Sequence, residues 1–152
     1  MNSSHHVISP QLGAIKVMDV VPSVMQWIHT DVRQQKSTCL TIPQLRALAF
    51  IQINPYSSLA ALAEYLGVTS ASTSTMVERL VQKKFMTRAE HPKLRRKVTL
   101  TLTPAGEEHL QQVRQVNRDR LADKLAHLSP SQLTNLINAL EELRQIFVNG
   151  DD

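Results

Sequence analysis

Five hydroxyl side chains, Ser70, Ser72, Thr73, Ser74 and Thr75, fall within six consecutive positions, and eight basic residues follow over residues 79–97: Arg79, Lys83, Lys84, Arg88, Lys93, Arg95, Arg96 and Lys97. Short hydroxyls let a helix backbone approach base edges in a major groove, while lysine and arginine neutralise phosphates. Glu90 is the one acid in residues 79–97, so this block carries +7 of a chain whose net charge is +4. Positive charge gathered at one place on a mildly acidic body fits a polyanion met at one face. Two plainer readings compete: a solvated basic face, and a Ser/Thr linker. The linker reading conflicts with MVERLV at 76–81, which continues from the hydroxyls at helical spacing.

Such a reading helix needs elements that hold it. Before it, LAALAEYL is built from helix formers, with Ser58 as its cap and Gly67 suited to the left-handed position at its end. Thr69 can cap the helix that follows, so two short helices meet across a Gly-containing turn, with Met76, Val77, Leu80 and Val81 facing inward. Upstream, Gln44–Ile53 reads as a helix closed by Asn54-Pro55, and QQKSTCLTIP as a loop. A long amphipathic helix runs from Leu12 to Val32, with a kink or break expected near Asp19 to Pro22. Downstream, FMTRAE and KVTLTL alternate as strands around HPKLRR, the tip of a hairpin. Thr103-Pro104 then opens a helix reaching Leu128, and Ser129 with Gln132 has the spacing of a capping box before a last helix through Phe147.

At 152 residues the chain fits one domain, 1–152, able to bury a core without staples; 42% hydrophobic and 20% charged residues are ordinary for a folded, soluble protein. The absence of a long apolar run, and of a signal-like layout in MNSSHHVISP, leads to the expectation of a cytoplasmic protein with no membrane contact. No phosphate-cradling glycine loop, HExxH or nucleophile elbow is present, and Glu141-Glu142 reads as a solvated pair, so no enzyme and no cofactor are expected. The adjacent pairs His5-His6 and Glu108-His109 lack metal-ligand spacing, and no metal is expected; His29 and His127 read as interface or surface residues on long helices.

The stretch SLAALAEYLGVTSASTSTMVERLVQKKFMTRAEHPKLRRKVTLTLTPAG resembles the core of the MarR family of multiple-antibiotic-resistance regulators, and the flanking helices resemble that family's layout along nearly the whole chain. The resemblance implies a mainly α fold with a small β-hairpin wing, a winged helix-turn-helix over 44–102 and dimerisation helices at 12–36 and 104–149. It implies a sequence-specific, double-stranded-DNA-binding homodimer, a repressor acting by occlusion at a pseudo-palindromic operator and released by a small-molecule effector. The DNA-contacting residues would be Ser70, Ser72, Thr73, Ser74, Thr75, Arg79, Lys83, Arg95, Arg96 and Lys97. Family ligands sit between the dimer helices and the reading head, where Trp27, Arg46 and Tyr65 are candidate lining residues. The family's wing usually carries acids beside its arginines; here His91 and Leu94 take those places. Two alternatives remain: a winged-helix protein-interaction module, and a thiol redox sensor through Cys39, with Lys36 as the nearest activating charge.

Overall fold

A computed structural model describes residues 7–90, 93–94 and 97–148. Six helices and one hairpin follow in the order α1 (Pro10–Gln34), α2 (Ile42–Ile53), α3 (Leu59–Leu66), α4 (Ser70–Gln82), β1 (Met86–Glu90), β2 (Val98–Leu102), α5 (Pro104–Leu125) and α6 (Pro130–Val148). This is the expected mainly α fold with a hairpin wing. The chain packs as two units, one through Arg114 and one from Gln115, so α5 belongs to both.

Local chemistry explains most of the helix boundaries. Ser9 caps α1, accepting from the Leu12 N–H at 3.2 Å, and Pro10 occupies the first turn, where its missing donor costs nothing. Of the kink or break expected near Pro22, the break does not occur: α1 continues through it. Pro22 removes only one backbone donor, water can reach this exposed stretch, and the Ser23 hydroxyl donates to the Asp19 carbonyl at 3.4 Å. α2 starts two residues earlier than expected. Thr41 and Gln44 form a reciprocal capping box, with Thr41 N–H to Gln44 Oε1 at 2.9 Å and Gln44 N–H to Thr41 Oγ1 at 3.3 Å, so Ile42 and Pro43 belong to the helix. At the other end of the chain Ser129 and Gln132 form the predicted box. α5 ends at Leu125, and His127 and Leu128 lie in the turn before α6.

The first unit holds the core. Leu45, Leu48 and Ile51 of α2, Leu62 and Leu66 of α3, Val77 and Leu80 of α4, Met86 and Leu100 of the hairpin, and Leu110 and Val113 of α5 form one buried cluster. Each such side chain stabilises the fold by about 1.5–3 kcal/mol relative to exposure. β1 and β2 pair antiparallel with Met86 opposite Leu102 and Glu90 opposite Val98. The free side of β2 is also paired: Tyr56 N–H donates to Leu100 O and Leu100 N–H to Ser57 O, both at 2.9 Å, which ties the α2–α3 turn to the wing. Tyr56 adopts a φ of +65° to make this turn. In the second unit α6 has no buried residue; Ile137, Leu140, Ile146 and Phe147 are exposed. Among the described residues no helix is long and apolar enough to cross a membrane.

Candidate nucleic-acid interface

The N-terminal turn of α4 is set by Thr69. Its Oγ1 accepts from the Ser72 N–H at 3.1 Å and donates to Ser72 Oγ at 3.0 Å, leaving the Ser72 hydroxyl proton directed to other acceptors. The tight entry comes from Gly67 at φ +68°, a left-handed residue that also ends α3. Ser70, Ser72, Thr75 and Arg79 are exposed and Ser74 is half-buried. Ser72, Thr75 and Arg79 are spaced by three and four residues and therefore share one helix face.

Thr73 departs from its expected place on the reading face. It is fully buried, with its hydroxyl donating to the Thr69 carbonyl at 2.9 Å, so it presents nothing to a duplex. It continues the buried stripe of Val77 and Leu80 by one turn. Its position four residues before Val77 is the signal for burial in the sequence, but the run of hydroxyls masks the apolar period.

Lys83 is exposed, yet it is not simply free for phosphate. Its Nζ donates to the Cys39 carbonyl at 3.0 Å, joining the end of α4 to the α1–α2 loop. Lys84 takes a φ of +62°, and the Phe85 N–H returns to the Leu80 carbonyl at 3.0 Å, closing the helix. Thr103 then donates from Oγ1 to the Lys84 carbonyl at 2.6 Å and accepts from Gly106 N–H at 3.0 Å. Gly106 is required by crowding: a Cβ there would lie 2.0 Å from the Phe85 carbonyl oxygen. These interactions give the LTPAG segment its physical role, which is to anchor α5 beneath the end of α4. The same junction includes His109, whose ring stacks on Phe85 with centroids 4.8 Å apart and whose Nε2 lies 3.2 Å from Thr38 Oγ1. Partial burial, and then the charge of Lys83, hold the His109 pKa below its ordinary value.

On the wing, Arg88, Lys93, Leu94 and Lys97 are exposed, and Lys97 N–H donates to the Leu94 carbonyl at 3.0 Å. His91, Arg95 and Arg96 lie outside the described residues, and so do His5 and His6. Cys39 is exposed, and the lysine bonded to its backbone is Lys83 rather than Lys36, its neighbour in sequence. Among the described residues no group of three or more His, Cys, Asp or Glu side chains could hold a metal. Glu141 accepts from Arg144 Nε at 2.9 Å on exposed α6. Arg46 and Tyr65 are brought together, the guanidinium 5.4 Å from the Tyr65 ring centre, and Tyr65 stacks on Phe50 at 4.5 Å, a partner that nothing in the residue spacing singles out. Trp27 is half-buried on α1.

The family model described as MarR family matches residues 40–97, from the capping loop of α2 to the wing. No curated protein matches the chain. Among solved structures, RV1404 from Mycobacterium tuberculosis is 26% identical with a TM-score of 0.75, covering 95% of this chain and 97% of its own. The transcriptional regulator Tm0710 from Thermotoga maritima is 20% identical, with a TM-score of 0.74 and coverage of 89% and 96%. A MarR family protein from Bacillus stearothermophilus is 16% identical, with a TM-score of 0.77 and coverage of 93% and 99%. The last two bear on the fold alone.

Proposed function

We propose, from the match of residues 40–97 to the MarR family model and the likeness of the whole fold to a MarR family protein, that the protein is a homodimeric repressor of transcription that binds a pseudo-palindromic operator. The observation that carries the reading is the exposed face of α4, where Ser72, Thr75 and Arg79 line up beside a basic wing. The hydroxyls would approach base edges while Arg79, Lys97 and the wing arginines Arg95 and Arg96 engage phosphates or the minor groove. Two such helices in a dimer would meet half-sites about one helical turn apart, roughly 10 base pairs. Bound there, the protein would exclude other proteins from the same DNA, and a small-molecule effector would release it. Exposed apolar side chains on α6 support the dimer, because a face of this kind is stabilised by burial against a second copy.

Selection from random duplexes by the purified protein, with the stoichiometry of the selected complex measured at two salt concentrations, tests the proposal. An enriched inverted repeat bound by two subunits is expected. Weak binding without enrichment, vanishing at physiological salt, would instead favour a winged-helix module that binds protein.

A further inference from the structure

Two side chains link the end of the reading helix to the α1–α2 loop, and both are bases. Lys83, from the end of α4, donates to the Cys39 carbonyl at 3.0 Å. His109, from α5, stacks on Phe85 just beyond α4 and reaches Thr38 Oγ1 at 3.2 Å. Thr38 Oγ1 in turn accepts from the Leu40 N–H at 3.3 Å, so the imidazole is joined to the segment that leads into the α2 cap. The first turns of α5 are themselves fixed: Thr103 and Gly106 pack against Lys84 and Phe85, and the buried Gln35 donates to the Val113 carbonyl at 3.4 Å. A change at His109 is therefore felt where these contacts meet, at Lys84 and Phe85 just beyond α4.

We propose that His109 is a positioning residue of the reading helix: its neutral ring, set between Phe85 and Thr38, holds the last turn of α4, and mildly acidic solution loosens that turn and weakens binding to a specific duplex. The inference rests on the reading of α4 as the DNA-reading helix. The charged group acting on the ring from α4 is Lys83. The turn after α4 contributes the Phe85 ring and Lys84, whose carbonyl is held by Thr103. The loop contributes Thr38 and Cys39, the latter with an exposed thiol and an engaged carbonyl. On α5 the adjacent carboxylate, Glu108, accepts from Gln112 at 3.5 Å.

Protonation would place a second positive charge near Lys83 in a partly buried position. Burial and Lys83 lower the pKa of His109, so the folded protein takes up this proton at a lower pH than the unfolded chain does. Below about pH 6.5 the unfolded state then binds more protons, and the junction loses stability as pH falls from there to the folded pKa. By the same linkage, a duplex that requires the neutral ring must depress its pKa further.

Hydrogen exchange at the backbone amides of Lys83, Lys84 and Phe85, compared near about pH 7.5 and about pH 5.5 after correction for intrinsic rates, tests the positioning role without DNA. These amides donate to Arg79, Val81 and Leu80 carbonyls respectively. The wild-type protein should lose about fivefold or more of their protection in acid, while His109→Gln, which cannot titrate, should not. Affinity for the selected duplex at the same two pH values should fall by a similar factor in the wild type and in a His29→Gln control, and stay flat in His109→Gln. Equal loss of protection in wild type and His109→Gln overturns the proposal. So does a wild-type affinity that does not fall, or a fall that survives in His109→Gln. If no duplex is selected at any pH, the DNA reading fails, and the exchange data alone decide whether His109 positions α4. Should His109→Gln not fold, His109→Phe replaces it: a ring that can stack on Phe85 but cannot titrate should keep its protection in acid, and a loss as large as the wild type's overturns the proposal.

Discussion

Ser72 is exposed on α4, and the next residue, Thr73, is completely buried with its hydroxyl bonded to Thr69. One step along a helix turns a side chain by roughly 100°, enough to carry it from the exposed side to the core. The two residues should therefore fail differently when replaced. Ser72→Ala is expected to change the preference among duplex sequences by about 1–3 kcal/mol, with fold stability little altered. Thr73→Ala is expected to lower stability to urea by about 1–2 kcal/mol while the order of preferred sequences stays the same. Competition binding over a panel of operators, with denaturation of each variant alongside, separates the two. Altered sequence preference in Thr73→Ala would return it to the reading face.

At the scale of elements, the junction between α4, the wing and α5 carries the most specific constraint. Gly106→Ala would put a methyl group 2.0 Å from the Phe85 carbonyl oxygen, which also accepts from Thr103 N–H at 3.1 Å. The backbone must move, and a cost of about 1–3 kcal/mol is expected in urea denaturation. Gly13 is exposed near the start of α1, and a methyl group there would meet nothing within 4 Å, so Gly13→Ala should instead be neutral or stabilise by up to about 1 kcal/mol. Equal effects at the two glycines would show that the Phe85 carbonyl does not constrain the fold. The wing gives an electrostatic counterpart. Arg95 and Arg96 lie outside the described residues, but Arg88, Lys93 and Lys97 around them are exposed. Replacing Arg95 and Arg96 with alanine should weaken all duplexes and flatten the dependence of log affinity on log salt by about 0.9 for each phosphate that is no longer neutralised. An unchanged slope would remove the wing arginines from the interface.

For the whole molecule, the apolar surface left on the second unit calls for a cover. α6 buries no residue, and Leu140 is 56% and Ile137 63% exposed. If α6 lies in the dimer interface, Ile137→Glu with Leu140→Glu should halve the mass seen by sedimentation and abolish cooperative binding to the inverted repeat. Loss of each buried leucine or isoleucine costs about 1.5–3 kcal/mol, ample to dissociate a dimer at micromolar concentration. A variant that remains dimeric would place the interface elsewhere.

What can be read along the chain is whatever is decided within a few residues. Ser58, Thr69, Gly67 and the Ser129–Gln132 box act on amides and carbonyls three to five positions away, so their residue types alone announce the ends of α3, the start of α4 and the start of α6. The basic block and the hairpin are legible for the same reason. The capping box of Thr41 and Gln44 is equally local, but Pro43 hides it inside what looks like a loop. Tertiary structure alone decided the partners that lie far apart in sequence: Lys83 with Cys39, His109 with Thr38, Arg114 with Gln52 and Phe85 above Gly106. A lysine or histidine on a polar face has the same sequence signature whether it meets water, phosphate or a carbonyl. Only the packing of the helices brings one of those within bonding distance, and that packing assigned Thr73 to the core and His109 to the end of α4.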